Sequence, residues 1–559
     1  MNVAELVGRT LAGLGAGPAF GVVGSGNFEV TNALRAGGVR FVAARHEGGA
    51  ASMADAYARI SGKVSVLSLH QGCGLTNAVT GITEAAKSRT PLLVLTADSA
   101  GASVLSNFRI DQDGLATAVG AVPERVHSAA SAVADTVRAF RTAHQQRRTV
   151  VLNLPLDVQA APAPDLPALP VVAGAAPVRP DAASAAALSA ELAGPAAVRP
   201  DAASAAALAD LLAAAERPVF IAGRGARSSG DVLRELAARC GALLATSAVA
   251  HGLFQGDPFA LGISGGFASP AAAELIVGAD LVVGWGCALN MWTTRHGKLL
   301  SPHAKLAQVD VEQAALGAHR PNDLGVVGDV ACTVSDVLAL TPARPGYRTD
   351  EVAARIAAGR WNDVLYEDLS GDGRIDPRTL SRLLDELLPA ERIVSIDSGN
   401  FMGYPSAYLS VPDEQGFCFT QAFQSIGLGL GTAIGAALAR PDRLPVLGTG
   451  DGGFHMALSE LDTAVRLGLP LVVIVYNDAA YGAEIHHFGD ADMTTVRFPD
   501  SDLAAIARGF GCTGITVRSP GDLPAVREWL AGPRSAPLVI DAKIADDGGS
   551  WWLAEAFRH

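Results

Sequence analysis

One stretch near the C-terminus, residues 444–478 (LPVLGTGDGGFHMALSELDTAVRLGLPLVVIVYND), predicts a complete strand–helix–strand unit. Its apolar run at 444–447 is typical of a buried strand and leads into a glycine turn at 448–453. Residues 456–467 have helical periodicity, and 471–476 form a second apolar run. Because two buried strands joined by a helix are typical of parallel sheets, this stretch confines the C-terminal part of the chain to an α/β fold.

A polar residue follows each of these strands, Asp451 after the first and Asn477 after the second. In a right-handed parallel crossover both strand ends emerge at one edge of the sheet, so we expect the two residues to be neighbours. A carboxylate, an amide oxygen and a backbone carbonyl just beyond Asn477 are hard ligands that suit Mg²⁺. The glycines let the backbone approach a diphosphate, whose charge the following helix N-terminus favours. The sequence therefore predicts a site for a metal-bound diphosphate.

A second Gly-Asp-Gly, at 371–373, is followed by Asn400 at a similar distance. The residues before it (YEDLS) are polar and make a poor buried strand. We therefore interpret 371–373 as a surface turn that leads into a helix at 377–388.

Length and composition exclude several classes of protein. A chain of 559 residues is too long for one ordinary core, which indicates about two to four domains. The net charge of −13 and the lack of basic clusters argue against binding to nucleic acid or to an anionic membrane surface. The sequence has no long apolar run that would span a membrane, and its N-terminus resembles an amphipathic helix. Scattered cysteines without disulfide spacing favour a cytoplasmic location.

Strand-like and helical stretches alternate in three segments, which predicts three doubly wound parallel-sheet domains. We place the domains at 1–160, 201–340 and 371–545, with linkers at 161–200 and 341–370 and a tail at 546–559. The first linker is rich in Pro and Ala, and VRPDAASAAAL occurs twice, at 178–188 and at 198–208. The first copy is interpreted as a duplication within the linker, and the second runs into a helix.

Three polar residues of the first segment lie at strand ends and helix starts, where α/β proteins usually have their active sites. Glu47 begins a glycine-containing helix, His70 ends a strand, and Ser25 lies in the first strand–helix turn. Each also has an ordinary interpretation, because a Glu at a helix N-terminus stabilises the helix dipole and a His can pack under a loop.

These motifs together resemble thiamin-diphosphate (ThDP) enzymes of the pyruvate oxidase-like superfamily, which includes acetohydroxyacid synthases and benzoylformate decarboxylase. The resemblance rests on RHE at 45–47, GCGLTN at 72–77, QAFQSIGLGLGTAIGA at 421–436, the GDG and Asn477 pair, and NDAAYGA at 477–483. It covers nearly the whole chain and implies the Pyr, middle and PP domains of the ThDP-binding fold, in that order.

The resemblance implies a role for each residue that matches a family motif. Glu47 would hydrogen-bond the cofactor's aminopyrimidine and activate it, His70 would exchange protons near the substrate, and Ser25 would contact substrate. Asp451, Asn477 and the carbonyl of Ala479 would bind Mg²⁺. The cofactor-binding set is Glu47, Ser398, Gly399, Asn400, Ile426, Gly450, Asp451, Gly452, Gly453, Asn477, Tyr481 and Gly482, in which Ile426 would bend ThDP into its reactive shape.

Several departures from the synthase pattern concern the substrate. The family's lysine in LPKDV is Leu156 here, its Phe-Gln pair is Phe108-Arg109, and its specificity tryptophan is His487. His486 and His487 either line the acceptor side of the pocket or face solvent. The middle segment lacks the arginine-bearing GxRFDDR stretch, which makes FAD doubtful.

The implied reaction is the decarboxylation of a 2-oxo acid, followed by joining of the decarboxylated donor to a second carbonyl, as in acetolactate synthesis. The alternative is a simple decarboxylase or acyloin lyase of the benzoylformate decarboxylase type, which His70 and the missing lysine favour. A further alternative is a catalytically silent cofactor-binding protein, which would be expected to lose Glu47. A nucleotide-binding oxidoreductase, based on a glycine loop at 223–228, has little support. The resemblance also implies a homodimer or homotetramer, since the family builds each site from two chains.

Overall fold

The computed structural model describes residues 1–165, 168–170, 198–489, 491–549 and 551–554. Within these residues the chain forms three six-stranded sheets, one in each predicted segment, and every pair of neighbouring strands is parallel. Helices flank each sheet. The expected α/β fold with three doubly wound domains is confirmed. No helix of the described residues is long and apolar enough to cross a membrane.

The first domain has strand order β2-β1-β3-β4-β6-β5. Its central strands are buried along their whole length, as expected for a parallel sheet covered on both faces. In chain order the elements are α1 (Val3–Gly13), β1 (Ala19–Gly21), α2 (Phe28–Ala36), β2 (Phe41–Ala43), α3 (Glu47–Ser61), β3 (Ser65–Leu69), α4 (Cys73–Lys87), β4 (Leu92–Asp98), α5 (Gln112–Ala118), β5 (Val122–Arg125), α6 (Ala132–Gln145), β6 (Thr149–Pro155) and α7 (Leu156–Ala160).

The middle domain has strand order β12-β11-β10-β7-β8-β9. Its elements are α8 (Ala202–Ala214), β7 (Pro218–Ala222), α9 (Gly230–Cys240), β8 (Leu243–Thr246), β9 (Ala260–Ile263), α10 (Pro270–Val277), β10 (Leu281–Trp285), α11 (Met291–Thr294), β11 (Lys305–Asp310), β12 (Leu324–Val327) and α12 (Val330–Leu340). The segment assigned as the second linker contains a further helix, α13 (Asp350–Ala358).

The third domain has strand order β14-β13-β15-β16-β18-β17. Its elements are α14 (Pro377–Leu387), β13 (Arg392–Ile396), α15 (Gly403–Tyr408), β14 (Phe417–Phe419), α16 (Gly429–Ala439), β15 (Leu444–Gly450), α17 (Asp451–Ala457), α18 (Glu460–Arg466), β16 (Val472–Asn477), α19 (Gly482–Phe488), α20 (Leu503–Gly509), β17 (Thr513–Val517), α21 (Pro524–Ala531), β18 (Leu538–Lys543) and α22 (Trp551–Ala554).

The first and third domains pack directly on each other through α3 and α16. Two glycines of α16 make this close approach possible. A Cβ on Gly431 would meet the carbonyl oxygen of Gly49 at 2.8 Å, and one on Gly435 would clash with the backbone of Met53. Apolar residues of both helices belong to one core that continues into both sheets. The two domains therefore share a core rather than a wet interface.

Two local expectations for residues 444–478 are wrong. The predicted glycine turn at 448–453 is instead the end of β15, which runs to Gly450, and the start of α17 at Asp451. The predicted helix at 456–467 is two helices, because α17 ends at Ala457 and α18 begins at Glu460. Glycine composition suggested a turn, but pairing with the neighbouring strands extends β15 to its last glycine.

The second Gly-Asp-Gly forms an exposed turn, as expected. Gly371 and Arg374 exchange backbone hydrogen bonds of 2.9 Å across it, and Asp372 and Gly373 have positive φ angles. The first copy of the repeated sequence, at 178–188, and the last residues of the tail lie outside the described residues.

Candidate cofactor site

Asp451 and Asn477 lie at the same edge of the third sheet. β15 and β16 are paired in parallel register, with Gly450 opposite Tyr476. Asp451 comes directly after Gly450. Asn477 is the last residue of β16. Both side chains are buried, with 7% and 2% exposure. The register of the two strands therefore makes Asp451 and Asn477 neighbours.

A second carboxylate, that of Asp478, lies against Asp451. Burial raises the pKa of Asp451 to about 8, and the nearby charge of Asp478 and a hydrogen bond between the two side chains add to the rise. Burial also raises the pKa of Asp478. Two acidic groups in one buried place cannot both ionise at low cost. Asp478 had no predicted role, although it directly follows a proposed metal ligand.

The amide of Asn477 is held in one orientation. Its Nδ2 donates to Oδ1 of Asp541 at 2.8 Å, and its Oδ1 accepts from the N–H of Ala479 at 3.0 Å. Ala479 has a φ of +57°, which turns the backbone sharply after the strand. The carbonyl of Ala479 accepts from the N–H of Phe498 at 2.9 Å, which leaves one lone pair. Sequence reasoning missed Asp541, since it lies on another strand.

These groups fit a divalent cation. Asp451, Asp478 and the Oδ1 of Asn477 bring oxygen acceptors to one largely buried place at the ends of β15 and β16, with His486 near Asp478. Among the described residues no group of three or more His, Cys, Asp or Glu side chains could hold a metal. The expected ligand set is of another kind, with one carboxylate, one amide oxygen and one backbone carbonyl, and it is the oxygen set that Mg²⁺ prefers.

A buried carboxylate, Asp397, ties together the turns beside this edge. It accepts from the N–H of Ser398 at 2.8 Å, from the N–H of Gly427 at 3.0 Å and from the hydroxyl of Thr449 at 3.1 Å. Burial raises the pKa of Asp397 to about 6. Asp397 thus fixes the 398–400 turn and the segment that carries Ile426 relative to β15.

Glycine is required at two positions here. A Cβ on Gly453 would clash with the Asp397 carboxylate, and one on Gly452 would meet the ring of Tyr481 at 2.5 Å. The ring of Tyr481 is itself fixed against Phe498, with 4.9 Å between centroids. The glycines therefore let the Asp397 carboxylate and the Tyr481 ring pack directly on the backbone at the start of α17.

A cavity of about 1750 Å³ opens at this edge. Its lining includes the expected cofactor residues Ser398, Gly399, Asn400, Ile426, Gly450, Asp451, Gly452, Gly453, Tyr481 and Gly482. It also reaches glycine turns of the middle domain at Gly223 and Gly286. Trp552 from the tail borders it and packs on Tyr404 at a centroid distance of 5.3 Å.

Glu47, His70 and Ser25 lie together at the edge of the first sheet. Nδ2 of Asn77 donates to Oε2 of Glu47 at 3.1 Å, and Oγ of Ser25 lies 3.4 Å from Nε2 of His70. Nδ1 of His70 is 2.9 Å from the carbonyl of Gln71. Because a carbonyl only accepts, Nδ1 carries the proton of the neutral ring and Nε2 is left as the acceptor that faces Ser25.

The two groups of residues are separate within one chain. The lining of the large cavity does not include Ser25, Glu47 or His70. We call the first-domain group and the third-domain group the two half-sites.

The tentative substrate residues do not all lie in the half-sites. Phe108 is 44% exposed and its ring meets that of His70 edge-on at 5.0 Å. Arg109 lines a second cavity of about 690 Å³ beside Asp98 and Arg125. His486 is half-buried near Asp478, whereas His487 is exposed and contacts the Phe488 ring at 4.6 Å.

Three all-parallel domains, with buried oxygen acceptors and a glycine-rich helix start at one edge of the third sheet, define a class of multidomain α/β enzymes with a candidate cofactor site on the third domain. Comparison with known families identifies it. The N-terminal, central and C-terminal domain models of thiamine pyrophosphate enzymes match residues 1–117, 205–337 and 397–542. The chain belongs to this family of ThDP-dependent enzymes, which act on small molecules.

Named relatives include enzymes of different activities. A sulfoacetaldehyde acetyltransferase of Alcaligenes xylosoxydans xylosoxydans is 29% identical over 95% of this chain and 90% of its own length. A probable 2-ketoarginine decarboxylase of Pseudomonas aeruginosa is 30% identical over 98% and 94%. The acetolactate synthase large subunit of Parasynechococcus marenigrum is 27% identical over 94% and 84%. The relatives thus include acyltransferases and a decarboxylase.

Proposed function

We propose that this enzyme decarboxylates a 2-oxo acid with ThDP and Mg²⁺ and joins the decarboxylated donor to a second carbonyl. The observation that carries this proposal is the parallel pairing of Gly450 with Tyr476, since Asp451, which lines the large cavity, and Asn477 are the next residues along these two strands. The acetolactate synthase among the relatives supports joining as the fate of the donor. The proposal includes no FAD, since the middle segment lacks the arginine-bearing stretch associated with it.

The chain's own groups would hold the cofactor as follows. Asp451, Asn477 and the carbonyl of Ala479 would bind Mg²⁺, and the glycines at 450–453 and the 398–400 turn would receive the diphosphate. Ile426 lines the same cavity and would support the bend of the cofactor. Bound ThDP supplies an electron sink for cleaving the bond between a carbonyl carbon and its carboxylate.

A complete site requires a second copy of the chain. Glu47 and Asp451 belong to half-sites that one chain keeps apart, so we propose that Glu47 of one protomer meets the cavity of its partner in a homodimer, or in a homotetramer built from such dimers. Glu47 would then form a hydrogen bond with the aminopyrimidine ring of the cofactor. Its carboxylate is oriented by Asn77.

The Ser25–His70 contact favours a second candidate, a simple decarboxylase. With Nδ1 bonded to the Gln71 carbonyl, Nε2 of His70 can exchange a proton with Ser25 and with substrate. A proton delivered to the decarboxylated donor releases a free aldehyde instead of a joined product. The ring of Phe108 meets that of His70 edge-on at 5.0 Å, so it lies beside any substrate that reaches His70.

One product analysis tests both candidates. The holoenzyme is incubated with pyruvate, benzoylformate, 2-ketoarginine or sulfoacetaldehyde, each with and without an aldehyde acceptor, and products are identified by mass spectrometry. Acetolactate or another 2-hydroxy ketone supports the first candidate, and free aldehyde alone supports the second. Glu47→Gln is the matched control, which should stop turnover while keeping the side-chain volume. Turnover of sulfoacetaldehyde alone would contradict both candidates.

A further inference from the structure

A buried carboxylate of the first domain holds a backbone segment of the third domain. Glu84, on α4, is 1% exposed. Its Oε1 accepts from the N–H of Ala422 at 3.1 Å, and its Oε2 accepts from the N–H of Phe423 at 2.6 Å. These two amides lie in the 420–428 segment between β14 and α16, which is outside regular secondary structure. Glu84 therefore accepts the hydrogen bonds of these two amides from across the domain boundary.

Glu84 is kept ionised by a buried arginine. Arg59 of α3 donates to its Oε1 at 2.7 Å and is also paired with Asp55 at 2.7 Å. Ser88 donates to the same Oε1 at 3.1 Å. Burial alone would raise the pKa of Glu84, but Arg59 and the N–H groups of Phe423 and Ala422 outweigh burial, and the pKa is lowered. A charged acceptor makes stronger hydrogen bonds to backbone amides than a neutral one.

A buried carboxylate of the third domain makes the corresponding contact to the backbone of the first domain. Glu460, at the start of α18 in the third domain, is also 1% exposed. Its Oε1 accepts from the N–H of Arg45 at 3.1 Å and from the N–H of His46 at 2.9 Å. Thr463 donates to its Oε2 at 2.7 Å, which fixes the carboxylate. Glu460 therefore holds the two backbone amides that come directly before Glu47.

Each held segment carries a residue of a half-site. The 420–428 segment carries Ile426 and Gln424, both of which line the large cavity, and Gln424 has a φ of +62° that needs support from its surroundings. At its other end Gly427 is tied to Asp397. The 45–46 segment leads directly into Glu47.

We infer that Glu84 and Glu460 are reciprocal positioning residues, each of which fixes the cofactor-facing backbone of the other domain. Glu84 positions Ile426 on the third domain, and Glu460 positions Glu47 on the first domain. The inference rests on the proposed cofactor site for its functional meaning, but the two backbone contacts are a property of the protein without cofactor.

Hydrogen–deuterium exchange of the cofactor-free protein tests the contacts directly. In Glu84→Gln we expect the backbone amides of 422–423 to exchange about tenfold faster or more, because they lose hydrogen bonds to a charged group. The exchange rates of the amides of 45–46 should not change. In Glu460→Gln the pattern should reverse, so each variant is the matched control for the other. Arg59 keeps Asp55 as a partner in Glu84→Gln, which limits wider damage. Should either Gln variant fail to fold, Glu84→Asp and Glu460→Asp test the same pattern.

Cofactor binding and rate separate positioning from general stability. Glu84→Gln should weaken ThDP binding, since Ile426 lines the cofactor cavity, whereas Glu460→Gln should lower kcat about tenfold with ThDP affinity little changed. Unchanged exchange at the facing amides, or equal acceleration of both segments in both variants, would overturn the inference. If the exchange pattern holds while the parent protein binds no ThDP, the proposed function fails and the contacts stand.

Discussion

The carboxyl groups of Asp451 and Asp478 lie against each other at the edge of the third sheet. Both are largely buried, and their mutual repulsion when ionised adds to the cost of burial. A divalent cation next to Asp451 removes that cost and turns the second carboxylate into a source of attraction.

Replacing Asp478 by Asn should therefore weaken Mg²⁺ binding. The variant lacks a carboxylate close to the cation, and we expect about a tenfold higher Mg²⁺ requirement. The measurement is a Mg²⁺ titration of ThDP binding at fixed ThDP. Asp492→Asn, an exposed carboxylate on the same domain, is the control. An unchanged Mg²⁺ requirement in Asp478→Asn would show that Asp478 does not act on the metal.

Subunit mixing tests whether each site is built from two chains. Glu47→Gln and Asp451→Ala should each be inactive alone, because each removes one half-site. In a mixed homodimer both changes fall in one site and the other is intact, so random reassortment should restore about a quarter of the wild-type sites. Activity is measured after dissociation and reassembly, with each variant mixed with itself as the control. No recovery in a mixture shown to contain mixed dimers would mean that a chain completes its own site.

His70→Gln should shift the balance of products. The amide cannot exchange a proton as the imidazole does, so release of free aldehyde should fall by about a hundredfold or more, the usual contribution of acid–base catalysis. Joining to an aldehyde acceptor should fall less. Both products are quantified in one reaction, with His303→Gln, an exposed histidine of the middle domain, as the control. Equal loss of both products would argue against a proton-transfer role specific to aldehyde release.

The raised pKa of Asp397 makes the stability of the folded protein depend on pH. Its pKa is about 6 in the native state and 3.8 in the reference state, so the native protein binds more protons between these values. This group therefore favours folding below pH 4, and that contribution is lost as pH rises through 6. Asp397→Asn does not titrate, so its melting temperature relative to wild type should rise between pH 4.5 and pH 7. A constant difference would show that Asp397 titrates normally.

The sequence predicts those parts of the site that depend on one stretch of chain. Asp451, Asn477 and Glu47 could be proposed as site residues because strand ends and helix starts are predicted from local periodicity, and parallel register brings strand ends together. Individual helices were harder, as the break between α17 and α18 shows.

The supporting residues could not be found in this way. Asp541 orients Asn477 from a different strand, and Glu84 reaches Ala422 across 338 residues of sequence. A buried carboxylate that accepts backbone N–H groups looks in sequence like any surface Glu or Asp. Only Asp478, next to Asn477 in the chain, carried a local signal, as an acidic residue directly after a proposed ligand.

Calorimetric titration of the purified protein with ThDP, in the presence and absence of Mg²⁺, tests the central claim most directly. We expect saturable binding that requires Mg²⁺, with binding lost in Asp451→Ala and retained in Glu47→Gln. ThDP binding that is absent from the wild type, or that is unchanged in Asp451→Ala, would contradict the account.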